Sequence, residues 1–333
     1  MALLEVRDLS VRIEGAAGAG LAVRDLSLEV DKGATLGIVG ESGCGKSMTA
    51  LAIMGLLPDN AATSGRILFE GTDLLAVGEE RLCEIRGNRI AMVFQEPMTS
   101  LNPVQPIGRQ VSEALRLHRG LGRAAARSEA VALLDRVGIP QPARRIDHYP
   151  HQLSGGQRQR AMLAMALSCG PDLLIADEPT TALDVTIQKQ ILDLLRGLIE
   201  DFGMGLILIS HDLGVVAESV ERIIVMYGGA AVERGATATI FRDLAHPYSQ
   251  GLFNAVPRLG RSSGTGRPAR LASIRGTVPE LKDLPEGCTF ADRCELASDA
   301  CRGAPPPPVE IAPGHTAACI HVERARRRWR TAP

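Results

Sequence analysis

The first forty residues alternate apolar and polar positions. The stretch Val23-Arg24-Asp25-Leu26-Ser27-Leu28-Glu29-Val30 shows this best, and its period predicts a strand with one buried face. Thr35–Val39 reads as a short apolar strand that runs into a glycine-rich loop. Residues 47–57 then read as a helix stopped by Pro58, and 66–69 and 89–94 as further strands. From 107 to 169 the spacing turns helical, as at Ala130, Leu133, Leu134 and Val137, which predicts a helical insert. Strands return at 173–176, 206–209 and 223–226, with a long helix over 185–199 between the first two. Strand–helix alternation of this kind predicts an α/β sheet with helices packed on it.

After about residue 256 the texture changes. Residues 260–270 are rich in Gly, Ser and Arg and read as a linker, and the prolines at 305–308 exclude regular helix or central strand. Residues 324–330 are basic and read as a solvated, frayed terminus, with contact to anionic lipid or a partner subunit as the alternative.

A length of 333 residues suggests two domains, one of them small. The net charge of −1 gives no sign of a nucleic-acid partner, and one Trp, three Tyr and six Phe are too few for stacking platforms. No apolar run approaches the about 18 residues needed to span a bilayer. Glu5, Arg7 and Asp8 interrupt any signal-peptide core, so the chain is expected to stay in the cytosol, with any membrane role exercised through partners.

Gly40-Glu41-Ser42-Gly43-Cys44-Gly45-Lys46-Ser47 matches G-x-x-x-x-G-K-[ST] between a strand and a helix. Small residues let backbone N–H groups turn inward around a phosphate, and the positive end of the following helix, entered through Met48, faces the same anion. Lys46 reaches the β- and γ-phosphates of a nucleotide, the Ser47 hydroxyl suits Mg²⁺, and Cys44 is a small loop residue whose backbone does the work. Leu173-Leu174-Ile175-Ala176-Asp177-Glu178 is a buried strand ending in two acids. On a strand adjacent to the phosphate loop, Asp177 would join the Mg²⁺ shell, and Glu178 would face the γ-phosphate as general base.

Leu153-Ser154-Gly155-Gly156-Gln157 resembles the signature sequence of the ATP-binding-cassette (ABC) family. The resemblance implies that ATP is bound between two cassettes paired head to tail, Ser154, Gly155, Gly156 and Gln157 of one closing over the nucleotide of the other. Gln95 is similar to the family's Q-loop glutamine, a ligand of Mg²⁺ and water. Ala182-Leu183-Asp184 is similar to its D-loop, and His211 to its switch histidine. The run Phe94-Gln95-Glu96-Pro97-Met98-Thr99-Ser100-Leu101-Asn102-Pro103 resembles the Q-loop of the oligopeptide and dipeptide importers. His246-Pro247-Tyr248, Gly251-Leu252 and Val256-Pro257 resemble the start of their C-terminal extension.

The fold implied is an α/β phosphate-loop ATPase domain over 1–255, with a RecA-like core, an antiparallel β subdomain and a helical subdomain at about 100–169. A small, irregular, cysteine-rich C-terminal domain over 256–333 follows. The partners implied are a paralogous ATPase subunit, two transmembrane permease subunits that dock on Gln95 and the helical insert, and an extracytoplasmic substrate-binding protein. The place implied is peripheral, on the cytoplasmic face of the membrane. A soluble ABC ATPase of DNA repair would interrupt residues 48–150 with a coiled coil or zinc module, and none is present. Relatives that import nickel or glutathione are not excluded.

One departure concerns the base. The family stacks adenine on an aromatic residue near the end of the first strand, where this chain has Ile13 and no aromatic before Phe69. Tolerance of GTP is therefore expected. Of the seven cysteines, Cys288, Cys294, Cys301 and Cys319 cluster with gaps of five, six and seventeen residues. The spacing lacks the short knuckle of zinc sites and ferredoxins. Similar cysteines in the importers' extensions imply a structural or regulatory [4Fe–4S] cluster, with zinc and unliganded thiols as alternatives.

Overall fold

The computed structural model describes residues 2–15, 18–95, 100–181, 183–255 and 274–331. Outside them lie Glu96, Pro97, Met98 and Thr99 of the Q-loop run, Ala182 of the D-loop, Val256-Pro257 and the linker at 260–270.

Strands β1 (Leu4–Gly15) and β2 (Gly18–Val30) form an antiparallel hairpin. The alternation seen in the sequence slips at Asp25, which has φ 43° and whose N–H donates to Ser10 Oγ at 3.0 Å. This bulge lets Val23 and Leu26, three apart, both face the core. Strand β3 (Thr35–Val39) leads to the helix Lys46–Met54, which ends at Gly55 (φ 62°) rather than at Pro58, because a left-handed cap closes it first. Strands β4 (Ala61–Phe69) and β5 (Thr72–Asp73) complete a four-stranded sheet in the order β2-β1-β4-β5.

Five strands, β6 (Ile90–Val93), β7 (Leu173–Asp177), β8 (Gly205–Ser210), β3 and β9 (Arg222–Tyr227), pair in parallel. Buried on both faces, β6, β7 and β8 are nearly continuous apolar runs. Strand β8 lies between β3 and β7, so the strand that carries Asp177 is not paired with the strand that leads into the phosphate loop. Between β6 and β7, the helices Ile107–His118, Arg123–Arg136 and Gly155–Ala166 bury Val111, Leu115, Ala130, Leu134 and Met162 against one another. The helix Val185–Phe202 follows β7 and is closed by Gly203 (φ 60°).

The C-terminal residues join this sheet. Strand β10 (Ala230–Ala236) pairs antiparallel to β9, and β11 (Val309–Ala312) and β12 (His315–Ala317) extend the edge in the order β11-β12-β10-β9. The basic tail is not frayed: Val322–Arg330 is a helix. Its Trp329 meets Phe253 edge-on at 5.2 Å, and Arg326 and Arg330 bond Asp243 at 2.7 and 2.6 Å. Burial pushes the Asp243 carboxyl up, but these two guanidiniums outweigh it and hold it at about 2.

Glu233 of β10 ties the two parts together. Its buried carboxylate accepts from Ala245 N–H (2.8 Å) and His246 N–H (3.0 Å) and bonds His315 Nε2 of β12 (2.9 Å). Removing one partner of such a buried set costs about 3–5 kcal/mol. Glu233→Ala should therefore lower the unfolding free energy by about that amount. Urea denaturation followed by circular dichroism checks this, an unchanged midpoint being the contrary result.

Candidate functional site

The carboxyl ends of β3, β7 and β8 meet at one edge of the sheet, and the expected site residues lie there. Gly45 precedes the helix Lys46–Met54 at φ 101°, with Ala22 O only 2.3 Å from where a Cβ would sit. Gly40 is held as closely, since a Cβ there would lie 2.3 Å from Met226 O and 2.6 Å from Cys44 Sγ. No side chain caps the helix start, so its N–H groups face the loop interior, as an anion site requires. Lys46 is buried, and its Nζ donates to Gly40 O (2.8 Å) and Glu41 O (3.0 Å). Ser42 and Gly43 are exposed on the loop, and Ser47 and Met48 are half-buried beside it. Cys44 is buried, which pushes its thiol pKa up.

Asp177 ends β7 and is buried. Burial raises its pKa, and a hydrogen bond from Ser47 opposes this. Its Oδ1 has no hydrogen-bond partner. An orphaned carboxylate oxygen beside a serine hydroxyl is a fitting donor pair for a hard cation.

Glu178 follows with φ 48°, a left-handed backbone uncommon outside glycine and found at functional positions. Its Oε2 accepts from Gln95 Nε2 (3.2 Å) and Thr181 Oγ1 (2.9 Å) and lies 3.1 Å from His211 Nδ1. Gln95 and His211, expected from separate motifs, thus converge on one carboxylate. Thr181 was not singled out by sequence, although it lies three residues after Glu178.

A cavity of about 520 Å³ runs through the site. Ser42, Lys46, Ser47, Gln95 and Glu178 line one end, and Ile13 the other. The second wall at the Ile13 end was not foreseen: it is Val278, Pro279, Glu280 and Leu281 from the C-terminal extension. Ile13 pairs with Gly20 across the hairpin, and Leu281 lies on Gly20, where a Cβ would come within 2.6 Å of the Leu281 Cβ. Among the described residues, no aromatic side chain lines the cavity.

Ser154, Gly155, Gly156 and Gln157 lie outside this cavity. Ser154 caps the helix Gly155–Ala166, its Oγ accepting from Gln157 N–H at 3.3 Å, and Ser154 and Gly155 are exposed. Asp184 is exposed and caps the helix Val185–Phe202, accepting from Thr186 and Ile187 N–H at 3.1 and 3.0 Å.

Cys288, Cys294, Cys301 and Cys319 line one apolar cavity, with His246 and His321 at its walls. Backbone N–H groups of Leu296, Ser298 and His321 donate to the sulfurs of Cys294 (3.4 Å), Cys301 (3.5 Å) and Cys319 (3.3 Å). Burial pushes the Cys319 thiol up to about 11; the His321 N–H opposes this and the other three thiols add to it. Among the described residues, no three His, Cys, Asp or Glu side chains are grouped so as to hold one metal ion. Neither the [4Fe–4S] nor the zinc reading of these cysteines finds a preformed metal site among the described residues.

A second contact from the extension was also invisible in the sequence. Arg293 reaches the phosphate loop and forks onto Glu41, Nη1 to Oε2 at 2.6 Å and Nη2 to Oε1 at 3.1 Å. Glu41 N–H donates to Tyr248 Oη at 2.8 Å, so the His246-Pro247-Tyr248 run touches the loop as well.

Residues 23–181 match the family model described as ABC transporter, and 232–301 the one described as oligopeptide/dipeptide transporter, C-terminal region. A Sinorhizobium fredii protein described as a "probable peptide ABC transporter ATP-binding protein" is 50% identical over 95% of this chain and 94% of its own. The oligopeptide transport ATP-binding protein OppD of Haemophilus influenzae is 49% identical over 91% of this chain and 92% of its own. Among solved structures, a dimeric ATP-binding cassette in a post-hydrolysis state with ADP and phosphate is similar at TM-score 0.64 and 28% identity, covering 70% of this chain and 98% of that one. With its phosphate loop, paired acids and signature helix in place, the chain belongs to the ATP-binding subunits of ABC transporters, in the group that carries the oligopeptide/dipeptide transporter C-terminal region.

Proposed function

We propose that this chain is the ATP-hydrolysing subunit of a peptide importer. It works on the cytoplasmic face of the membrane against two permease subunits, paired with a paralogous ATPase and fed by an extracytoplasmic binding protein. The convergence of Gln95, Thr181 and His211 on the carboxylate of Glu178 carries the hydrolytic part of this reading. The names of the relatives support peptides as cargo. No helix among the described residues is long and apolar enough to cross a membrane, which fits a subunit that acts on separate permeases.

In this reading Lys46 and the N-terminus of the helix Lys46–Met54 hold the β- and γ-phosphates. Ser47, Asp177 and Gln95 would hold Mg²⁺, which neutralises charge on the phosphate oxygens. Glu178 takes a proton from water as the water oxygen bonds to the γ-phosphorus. The bond from that phosphorus to the bridging oxygen breaks, and ADP and phosphate leave. His211 and Gln95 fix the carboxylate, and Ser154, Gly155, Gly156 and Gln157 of the paired subunit close over the nucleotide, with Asp184 beside the junction. The base lies at the Ile13 end of the cavity, covered by Val278 and Leu281 in place of an aromatic ring.

The same reading assigns a [4Fe–4S] cluster to Cys288, Cys294, Cys301 and Cys319. A single zinc needs its thiolates within about 2.3 Å of one point. A cluster held by four cysteines spreads them around a larger group, and N–H donors on the sulfurs suit one. The four thiols that line one cavity are what supports this assignment.

Glu178→Gln should lower ATP hydrolysis about 10²–10⁴-fold while keeping ATP binding. Phosphate release and equilibrium binding check this, and hydrolysis at the parent rate would remove Glu178 as the base. Without a stacking ring, the dissociation constants of ATP and GTP should agree within about twofold by titration calorimetry, about 0.4 kcal/mol and so below the about 0.5–1.5 kcal/mol an aromatic contact adds. A large preference for ATP is the contrary result. The anaerobically purified chain should carry about four irons and four labile sulfides and a broad brown absorption. One zinc without iron would make the cavity a structural clip, and neither metal would leave free thiols.

A further inference from the structure

Arg293 is a buried cation of the C-terminal extension, its side chain 5% exposed. It ends the short turn Ala291–Arg293 and immediately precedes Cys294. Its guanidinium lies over the rings of Tyr227 and Phe290, 5.6 and 5.9 Å from their centroids. Beyond the fork onto Glu41, Nε donates to Arg275 O (2.8 Å), Nη2 to Gly276 O (3.3 Å) and Nη1 to Tyr227 Oη (3.3 Å). Every N–H of the group is therefore directed at an acceptor.

Glu41 stands inside the phosphate loop. Its carbonyl accepts from Lys46 Nζ and its N–H donates to Tyr248. Its carboxylate is a negative charge on a loop that is to receive an anion, and a bidentate arginine is the cation best shaped to neutralise and orient it. We propose that Arg293 is a positioning residue through which the C-terminal extension sets the phosphate loop's affinity for nucleotide. It acts by holding Glu41 in place and cancelling the charge that would repel the phosphates. Because Cys294 is the next residue, whatever the four thiols hold also fixes where Arg293 stands. The inference rests on the ATP-binding reading above.

The test is the dissociation constant of a fluorescent N-methylanthraniloyl ATP, with Mg²⁺, for the full chain and three variants. Arg293→Met should weaken binding about tenfold or more, as befits the loss of two charged hydrogen bonds. Arg293→Met combined with Glu41→Gln should recover to within about threefold of the parent, because no unpaired charge remains. A mere structural prop would give no such recovery. Arg293→Met binding within about twofold of the parent, or a double variant as weak as the single one, overturns the proposal. If Arg293→Met does not fold, Arg293→Lys decides: it keeps the charge but loses the fork. A loss of about threefold supports the proposal and a parent-like constant overturns it. If the unaltered chain binds no ATP at all, the ATPase reading itself has failed.

Discussion

Parallel pairing constrains everything at the site. In a run of parallel strands all carboxyl ends emerge at one edge, so a loop after β3, two acids after β7 and a histidine after β8 must share that edge. The loop after β3 supplies cation and N–H donors, and the end of β7 supplies carboxylates. Because β8 separates those two strands, the sheet itself does not bring Ser47 and Asp177 into contact. Side chains narrow the gap: the Ser47 hydroxyl opposes the burial-raised pKa of Asp177, and His211, which follows the intervening strand, lies 3.1 Å from Glu178. Glu178, at φ 48°, holds Gln95, Thr181 and His211, whereas Asp177 lies beside Ser47, so the two acids have different neighbours.

The residues that do chemistry were legible because their spacing is local. Gly40 to Ser47 needs only eight consecutive residues to form an anion cradle, and Asp177-Glu178 only a buried strand that stops. The elements followed from the same short-range pattern, and their ends moved where a left-handed glycine, as at Gly55 or Gly203, closed a helix at a point its apolar period did not mark. The order of the strands was not legible. That β8 separates β7 from β3 follows from pairing between residues far apart in sequence.

What the extension does was also hidden, for the same reason. Arg293 meets Glu41 across 252 positions, and His315 meets Glu233 across 82. Neither pair has a local signature, since a lone arginine or histidine in a polar stretch reads as surface. The basic run at 324–330 looked solvated by composition, yet two of its arginines are bound to Asp243 and its tryptophan to Phe253. Burial of one face was carried there by only a few apolar residues, among them Val322 and Ala325, too few to announce a helix against so many charges. The cysteines were visible as a cluster, but only the fold brings the four thiols to one cavity.

Two glycine-flanked helix starts in one chain also bear on the assembly proposed above. The helix Lys46–Met54 begins without a side-chain cap and opens into the cavity, whereas the helix Gly155–Ala166 is capped by its own Ser154 and faces away from it. The first is complete with the acids of its own chain. The second begins with Gly155 exposed and Gly156 half-buried, and neither lines the cavity. The head-to-tail pairing proposed above would bring the phosphates held by a second subunit to this helix start. The extension reaches the phosphate loop by way of Arg293 and the cavity by way of Leu281, while Ser154 and Gly155 stay exposed, as the proposed pairing requires.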